Sequence, residues 1–501
     1  MKKTNIKAFI SGVLIFLCLS VLLYSCQGGK ENNENQSNNN NNNAQDVTDP
    51  SEEDEIVGNI YEQFPKTDFG GREFKMLLRD SVQEEHYSEG EIGEVFNDAV
   101  YKRNKKIEED YNINFKFIIS TWEKHTEDIR KSVMANDRAI DLGVMQSAKG
   151  LYTVGGDIYK DWNKVPSVKE NLGNPWWNRS VMKDLSIGGR IFGIAGDVGY
   201  SYVANTQALM FNKNLFRDSG MEIPYQTVND GKWTYEAFEN LLKDCTKDLN
   251  SDGKLSVKDD MFGIVSMTHD FAVMYFHNSG GKALEKDGND YPVFVLGNEK
   301  NVKIIELGYR LLTEGIYGHS QYAGNDDYTQ EASHIAFRDG RAYFVGTNLN
   351  SLKVFRDMES EYGIVPYPKF DNTQPDYIST VDGDATLLML PKSATDEDGE
   401  FVGTVIEALA RESLLSVIPA YYKTTLQLKF TRDDETIEML ELLRRTANFD
   451  MGYLYNFESS GRISKTLIEQ KSANLTSWVE KNEPKIQKAI DSLIELCENM
   501  D

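Results

Sequence analysis

Cysteine and histidine are scarce in this sequence, and their scarcity excludes several kinds of site. The 501 residues include four cysteines and six histidines, with no Cys-x-x-Cys pair and no Cys/His cluster. The sequence therefore predicts no zinc site. Cys245 and Cys497 lie in helical patterns, where either a disulfide between them or two buried thiols would fit, and we favour buried thiols.

Catalytic motifs are missing as well. The sequence contains no His-Glu-x-x-His, no Gly-x-Ser-x-Gly and no P-loop. Among 79 Asp and Glu residues, a carboxylate pair for glycoside hydrolysis could always be chosen, but no motif singles one out. We therefore expect a protein that is not an enzyme and needs no cofactor for activity. A glycan hydrolase is the alternative from another functional class.

Positive charge is also in short supply. Lys and Arg number 54 against 79 Asp and Glu, which gives a formal net charge of −25. Such a chain repels polyanions, so we expect no nucleic acid partner. The same excess of negative charge argues against binding anionic lipid through a basic patch.

The N-terminal segment carries a long apolar run typical of a secretion signal. Residues 1–25 have a basic start followed by the apolar run Ala8–Tyr24. Leu23-Tyr24-Ser25-Cys26 is typical of a lipobox, which predicts a lipid on Cys26 and anchoring to the outer face of the cytoplasmic membrane. An uncleaved membrane anchor is the alternative, since the 17 apolar-run residues nearly span a bilayer. Residues 26–56 are rich in Asn and poor in apolar residues, so we expect a disordered tether.

Beyond the tether, the order of predicted elements favours an α/β fold with two lobes. About 445 residues are too many for one ordinary core. Strands at 74–78, 113–119 and 140–145 alternate with two helical patterns, which predicts a mostly parallel sheet. Ligands bind beyond the carboxyl ends of such strands. This rule gives four candidate ligand-binding residues: Arg79, Asp80, Gln146 and Ser147.

Two further candidates precede the chain crossing near Thr206. Trp176 and Trp177 are adjacent, so both cannot face inward from one strand. Trp177 either stacks on a sugar ring or, together with Trp176, wedges a loop onto the sheet. Asp197 lies just before the crossing, where a side chain can face the cleft from the hinge.

The stretch from Ala208 to Ile264 ends in a loop with the ligand spacing of an EF-hand calcium site. Oxygen-bearing residues alternate, and Gly253 stands at the sixth position, where the backbone must turn sharply. The predicted ligands of a structural calcium ion are Asp248, Asn250, Asp252, Lys254 and Asp259. Asp259 is shorter than the usual Glu at the twelfth position. An acidic surface loop with a glycine turn is the alternative.

Four segments occur in an order that resembles a known family. They are ALMFNKNLF from Ala208, WTYEAFENLLKD from Trp233, HIAFRDGRAYFVG from His334 and YGIVPYPKFD from Tyr362. Behind a lipoprotein signal, this order is similar to the family 1 extracellular solute-binding proteins of bacterial ABC importers, the group that includes maltose-binding protein. The resemblance covers roughly Arg72 to the C-terminus.

The resemblance implies a two-lobe, Venus flytrap α/β fold with hinge crossovers. Lobe 1 would comprise residues 70–205 and 378–418, and lobe 2 residues 206–377 and 419–501. The implied function is capture of a small solute, with sugar favoured, by hinge closure. The implied partner is an ABC transporter permease, and the protein would be a monomer. A carbohydrate-binding lipoprotein without a transport role is the alternative.

The resemblance also adds four candidate ligand-binding residues. Thr347 and Asn348 follow a predicted strand at a turn that borders the ligand in the family, although a simple strand-to-helix cap fits equally. Asp382 begins a strand on the side of the cleft. Trp478 matches, by order along the chain, a sugar-stacking aromatic residue of the maltose-binding proteins.

Overall fold

The computed structural model describes residue 64 and residues 66–314, 330–426 and 434–500. The predicted signal segment 1–25, the lipidation residue Cys26 and the tether 26–56 lie outside the described residues. Within the described ranges, each helix is too short or too polar to cross a lipid bilayer.

Two four-stranded sheets and the helices packed on them make up the described chain. The strands are Arg72–Arg79 (β1), Ile113–Ser120 (β2), Leu142–Gln146 (β3), Gln207–Asn212 (β4), Phe262–Ser266 (β5), Leu284–Lys286 (β6), Pro292–Phe294 (β7), Ala342–Asn348 (β8), Tyr362–Val365 (β9), Ser379–Thr380 (β10), Thr386–Met389 (β11) and Ala447–Asn448 (β12). The α-helices before β5 are Val95–Tyr111 (α1), His125–Ala135 (α2), Ser147–Tyr152 (α3), Pro166–Lys169 (α4), Arg179–Leu185 (α5), Ser201–Ala204 (α6), Lys213–Asp218 (α7), Tyr225–Asn229 (α8) and Tyr235–Leu242 (α9). Those after it are Thr268–Asn278 (α10), Glu299–Glu314 (α11), Gln330–Arg338 (α12), Asp396–Leu415 (α13), Val417–Leu426 (α14), Asp434–Arg445 (α15), Met451–Tyr455 (α16), Ile463–Glu469 (α17) and Leu475–Asn499 (α18).

The sheet of lobe 1 has the strand order β11-β3-β1-β2, with β11 antiparallel and the other three parallel. β1 is buried along its second half because helices cover both faces of the sheet. Single bridges from Ile194 to Leu388 and from Trp177 to Gly196 extend the sheet past β11. The carboxyl ends of β1, β2 and β3 therefore meet at one edge.

The sheet of lobe 2 has the order β5-β8-β4-β9. All six residues of β4 are buried, and β4 runs antiparallel to both neighbours. α9 begins at the N-cap residue Thr234, whose Oγ1 accepts a hydrogen bond from the Ala237 N–H. Two sheets in separate lobes confirm the predicted two-lobe α/β fold.

A narrow ribbon of extended backbone joins the lobes, and we call residues 205–206, 379–382 and 447–448 the hinge ribbon. Thr206 and Val381 form an antiparallel bridge, and the Asp382 N–H donates to the Asn205 carbonyl at 2.8 Å. β10 and β12 pair in parallel beside them. Within the described residues, the backbone thus passes between the lobes through residues 205–206 and 379–382.

α14 belongs with lobe 1, beyond the predicted change of lobe at 418–419. The Tyr421 ring stacks on Tyr200 with centroids 4.0 Å apart and meets Phe96 edge-on. Cys245 and Cys497 are both buried and free, which confirms the preference for thiols.

Trp176 and Trp177 are anchored on one buried carboxylate. Their indole N–H groups donate to Glu407 Oε2 at 2.8 Å and Oε1 at 2.6 Å, respectively. The Trp177 residue is only 4% exposed. Burial raises the pKa of Glu407 to about 7. This placement favours the wedge role of Trp177 over stacking on a ligand, because the ring is covered by protein.

We predict that Glu407→Gln changes how stability depends on pH. The pKa of Glu407 is about 7 in the folded protein and 4.5 as the ordinary value, so the wild type loses stability as pH rises between these values. Glutamine does not titrate. Urea titrations give the free energy of unfolding of each protein. The difference between them, wild type minus variant, should fall by about 2 kcal/mol from pH 5 to pH 8. A difference that stays constant would contradict this, and Glu397→Gln on the same helix is the control.

Candidate functional site

Arg79 lies at the carboxyl end of β1 and anchors the edge of lobe 1. Its side chain is 5% exposed, and Nη1 lies 3.2 Å from Asp384 Oδ1. Nη2 donates to the Asp384 carbonyl at 2.8 Å, and the Gln146 amide donates to the Asp384 carboxylate. The ends of β1 and β3 are thereby tied to the turn before β11.

Asp382 and Ser147 complete this cluster. Ser147 Oγ donates to the Gly383 carbonyl at 3.0 Å. The Asp382 carboxylate accepts from the Tyr453 hydroxyl at 3.3 Å and from Gln207 Nε2 at 3.5 Å. Burial raises the pKa of Asp382, and the nearby charge of Asp384 adds to the effect. Tyr453 comes from lobe 2, so this corner of the hinge ribbon contacts both lobes.

Trp122 follows β2 at the same edge and is 48% exposed. The ammonium of Lys149 lies 3.1 Å from the Trp122 ring centroid and donates to the Trp122 carbonyl at 2.7 Å. Burial lowers the pKa of Lys149, partly opposed by the charge of Glu123. An indole held in place by a cation, with half its surface open, can pack against the C–H groups of a ligand.

On lobe 2, Thr347 and Asn348 lie at the carboxyl end of β8. Thr347 is buried, with Oγ1 2.8 Å from Ser351 Oγ and 3.4 Å from His334 Nε2. Burial lowers the pKa of His334 to about 4, so the ring is neutral at pH 7. Asn348 stands opposite Gln207 in the strand pairing, and Gln207 donates to Asp382. The lobe 2 candidates therefore connect to the lobe 1 cluster through Gln207.

The remaining candidates are Asp80, Asp197 and Trp478, which differ in exposure. Asp80 is exposed, directly after Arg79. Asp197 is buried and accepts from the Tyr202 hydroxyl at 3.0 Å, and burial raises its pKa to about 7. Trp478 packs on the core of lobe 2 in the first turn of α18. The other end of α18 contacts lobe 1, because the Cys497 carbonyl accepts a hydrogen bond from Arg190. Trp478 is about 28 Å from Cys497 along the helix axis, and so it is far from this contact.

Four residues of the site were not predicted from the sequence: Trp122, Lys149, Asp384 and Tyr453. The rule of strand carboxyl ends, applied to β2 as it was to β1 and β3, would have found Trp122. Lys149 lies two residues after Ser147. No local signal marks Asp384 or Tyr453, because long-range packing brings them to the site.

The predicted calcium loop is ordered by bonds to its own backbone. Asp248 accepts from the N–H groups of Ser251 at 2.6 Å and Gly253 at 2.9 Å. Gly253 has a φ of 79°, as its position in the loop requires. The residue that closes the loop is Asp260, which is fully buried and accepts from the Leu249 and Ser256 N–H groups.

Asp259, the predicted twelfth ligand, is instead exposed. Within the described ranges, no three His, Cys, Asp or Glu side chains are grouped closely enough to hold a metal ion. Calcium binding in this loop stays a prediction.

Solved structures of other proteins share this fold, although the sequences differ widely. No protein-family model and no curated protein match the sequence. The maltose/maltodextrin-binding domain MalE from Bdellovibrio bacteriovorus, bound to maltotriose, matches with a TM-score of 0.54 at 14% identity over 84% of this chain and 100% of that one. A cyclo/maltodextrin-binding protein complexed with maltotetraose matches with a TM-score of 0.53 at 14% identity, over 87% and 100%. The chain has the fold of ABC transporter solute-binding proteins.

A third structure with this solute-binding fold is the ABC transporter solute-binding protein from Thermotoga lettingae bound with α-D-tagatose. It matches with a TM-score of 0.52 at 12% identity, over 85% of this chain and 99% of that one. Because these matches span nearly the whole of each solved chain, both lobes and the crossings between them belong to the shared fold.

We predict that calcium binds the 248–259 loop with a dissociation constant of about 10⁻⁴–10⁻³ M, the range of extracellular calcium modules. Titration calorimetry should show one site per chain. Asp248→Asn should abolish the heat because it removes a charged ligand at the first position. Asp244→Asn, an exposed residue before the loop, should leave the heat unchanged. If the wild type gives no heat at 10 mM calcium, roughly ten times the weakest expected dissociation constant, the prediction of calcium binding is wrong.

Proposed function

We propose that the protein binds a carbohydrate between its two lobes and delivers it to an ABC transporter permease. The observation that carries the proposal is the edge of lobe 1, where the half-exposed indole of Trp122 lies beside Lys149. Sugar rings pack their C–H groups on aromatic faces, while charged and amide groups bind their hydroxyls. Solved proteins with the same fold carry maltotriose, maltotetraose or tagatose.

The mechanism follows from where the binding groups lie. Trp122 and Lys149 belong to lobe 1 and are held beside the cluster of Arg79 and Gln146, whereas Asn348, next to the buried Thr347, belongs to lobe 2. A solute that contacts both sets favours the arrangement in which the lobes approach each other. The hinge ribbon provides the bend, so capture needs no covalent step.

A screen of mono- and oligosaccharides by thermal unfolding tests this function, since a ligand that binds the folded state raises the melting temperature. For the sugar that does so, we predict that Trp122→Ala weakens binding at least about tenfold, or about 1.4 kcal/mol. Trp478→Ala is the matched control and should change the dissociation constant less than about twofold. If no sugar raises the melting temperature, or if both variants bind like the wild type, the proposal fails.

We further propose that a lipid on Cys26 holds the protein at the outer face of the cytoplasmic membrane, as the lipobox indicates. Cys26→Ala should then move the protein from the membrane fraction to the soluble fraction of lysed cells. Ser25→Ala keeps a small residue before the cysteine and should stay with the membranes. Retention of Cys26→Ala in the membranes would instead support an uncleaved anchor.

A further inference from the structure

A cavity between the lobes is lined by none of the residues in the cluster around Arg79. Its volume is about 900 Å³, within the range of small-molecule sites. Lobe 1 contributes the loop around Trp177 together with Tyr202, and lobe 2 contributes residues 228–231, 369–377 and 437–447. Trp177 pairs with Gly196 on the far side of β11 from β1 and β2. The cavity is therefore beside β11 at one side of the lobe 1 sheet, whereas Trp122 follows β2 at the other side.

The wall of this cavity is rich in positive charge for so acidic a chain. Four cationic side chains line it: Arg179, Lys369, Arg444 and Arg445. Three carboxylates also line it: Asp376, Glu438 and Glu441. Asp376 and Arg445 form an ion pair at 2.8 Å and balance each other, which leaves three cations against two carboxylates. One of these two, Glu441, is partly buried, and burial raises its pKa. The whole chain has a net charge of −25. An excess of cationic side chains around one cavity therefore favours an anionic ligand there.

Lys369 is the decisive residue. It is only 7% exposed and lines the cavity. Its ammonium lies 5.6 Å from the centroid of the Tyr377 ring. Among the residues that the structure describes, no carboxylate forms an ion pair with it. An anion in the cavity would supply the counter-charge that this ammonium lacks.

We propose that this cavity is a second binding site, which takes a small organic anion whose carboxylate or phosphate group pairs with Lys369. A bare inorganic ion would fill little of the 900 Å³, so the ligand also has an organic body. Tyr202 and Tyr377 also line the cavity and provide aromatic surface for it. Because the walls come from both lobes, the bound anion favours the lobe arrangement in which the cavity has this shape.

Titration calorimetry of the full chain with phthalate and phenyl phosphate tests the site, with benzyl alcohol as the neutral probe. The phthalate and phenyl phosphate arms distinguish a carboxylate ligand from a phosphate ligand. We expect at least one anion to bind at one site per chain with a dissociation constant below about 1 mM. The neutral probe should not bind.

Lys369→Met should weaken the binding of that anion at least about tenfold. Lys353→Met, at an exposed lysine outside the cavity, should leave it unchanged. Ser180→Trp fills the cavity without removing a charge, and it should abolish binding even if Lys369→Met fails to fold.

Binding of neither anion at 10 mM, about ten times the expected limit, would overturn the proposal. The proposal would also be overturned if a folded Lys369→Met or Ser180→Trp variant bound the anion as well as the wild type does. A sugar from the thermal screen should bind Lys369→Met as it binds the wild type. Loss of sugar binding in that variant would place the sugar in this cavity and overturn the second site.

Discussion

The buried guanidinium of Arg79 is the interaction on which the site depends. A charge removed from water needs a partner, and its partner Asp384 lies 305 positions later in the sequence. The ion pair between Arg79 and Asp384 brings β1 against the segment that returns from lobe 2. The adjacent residue Gly383 accepts from Ser147, and its N–H donates to the Tyr453 hydroxyl at 3.2 Å. One buried cation thus organises the corner where both lobes meet the hinge ribbon.

The two proposed binding sites lie at different places on the lobe 1 sheet. At one edge of the lobe 1 sheet, Trp122 and Lys149 present an aromatic and a cationic surface. At the other edge, Lys369 faces a cavity with walls from both lobes. We propose that a ligand at either place contacts both lobes and thereby favours one angle between them.

The sequence was informative where a physical rule acts locally. Chain length and the family resemblance predicted the two-lobe fold. The rule of strand carboxyl ends selected Arg79, Gln146 and Ser147, which the structure places in one cluster, and their role in ligand binding stays a prediction. The sequence was uninformative where a side chain reaches its place through distant packing, as with Asp384 and Tyr453. Trp478 was chosen from its order along the chain, and its partly buried indole packs against the core of lobe 2. Its role as a ligand contact stays a prediction. Trp177 is held by Glu407, a partner 230 positions away that no local pattern reveals.

The central claim is that a solute brings the two lobes together by bending the hinge ribbon. Small-angle X-ray scattering of the purified protein, with and without a saturating sugar, measures this directly. The account predicts that the radius of gyration falls when the sugar is added and returns when it is dialysed away. A radius of gyration that stays the same while the sugar is shown to be bound would contradict it.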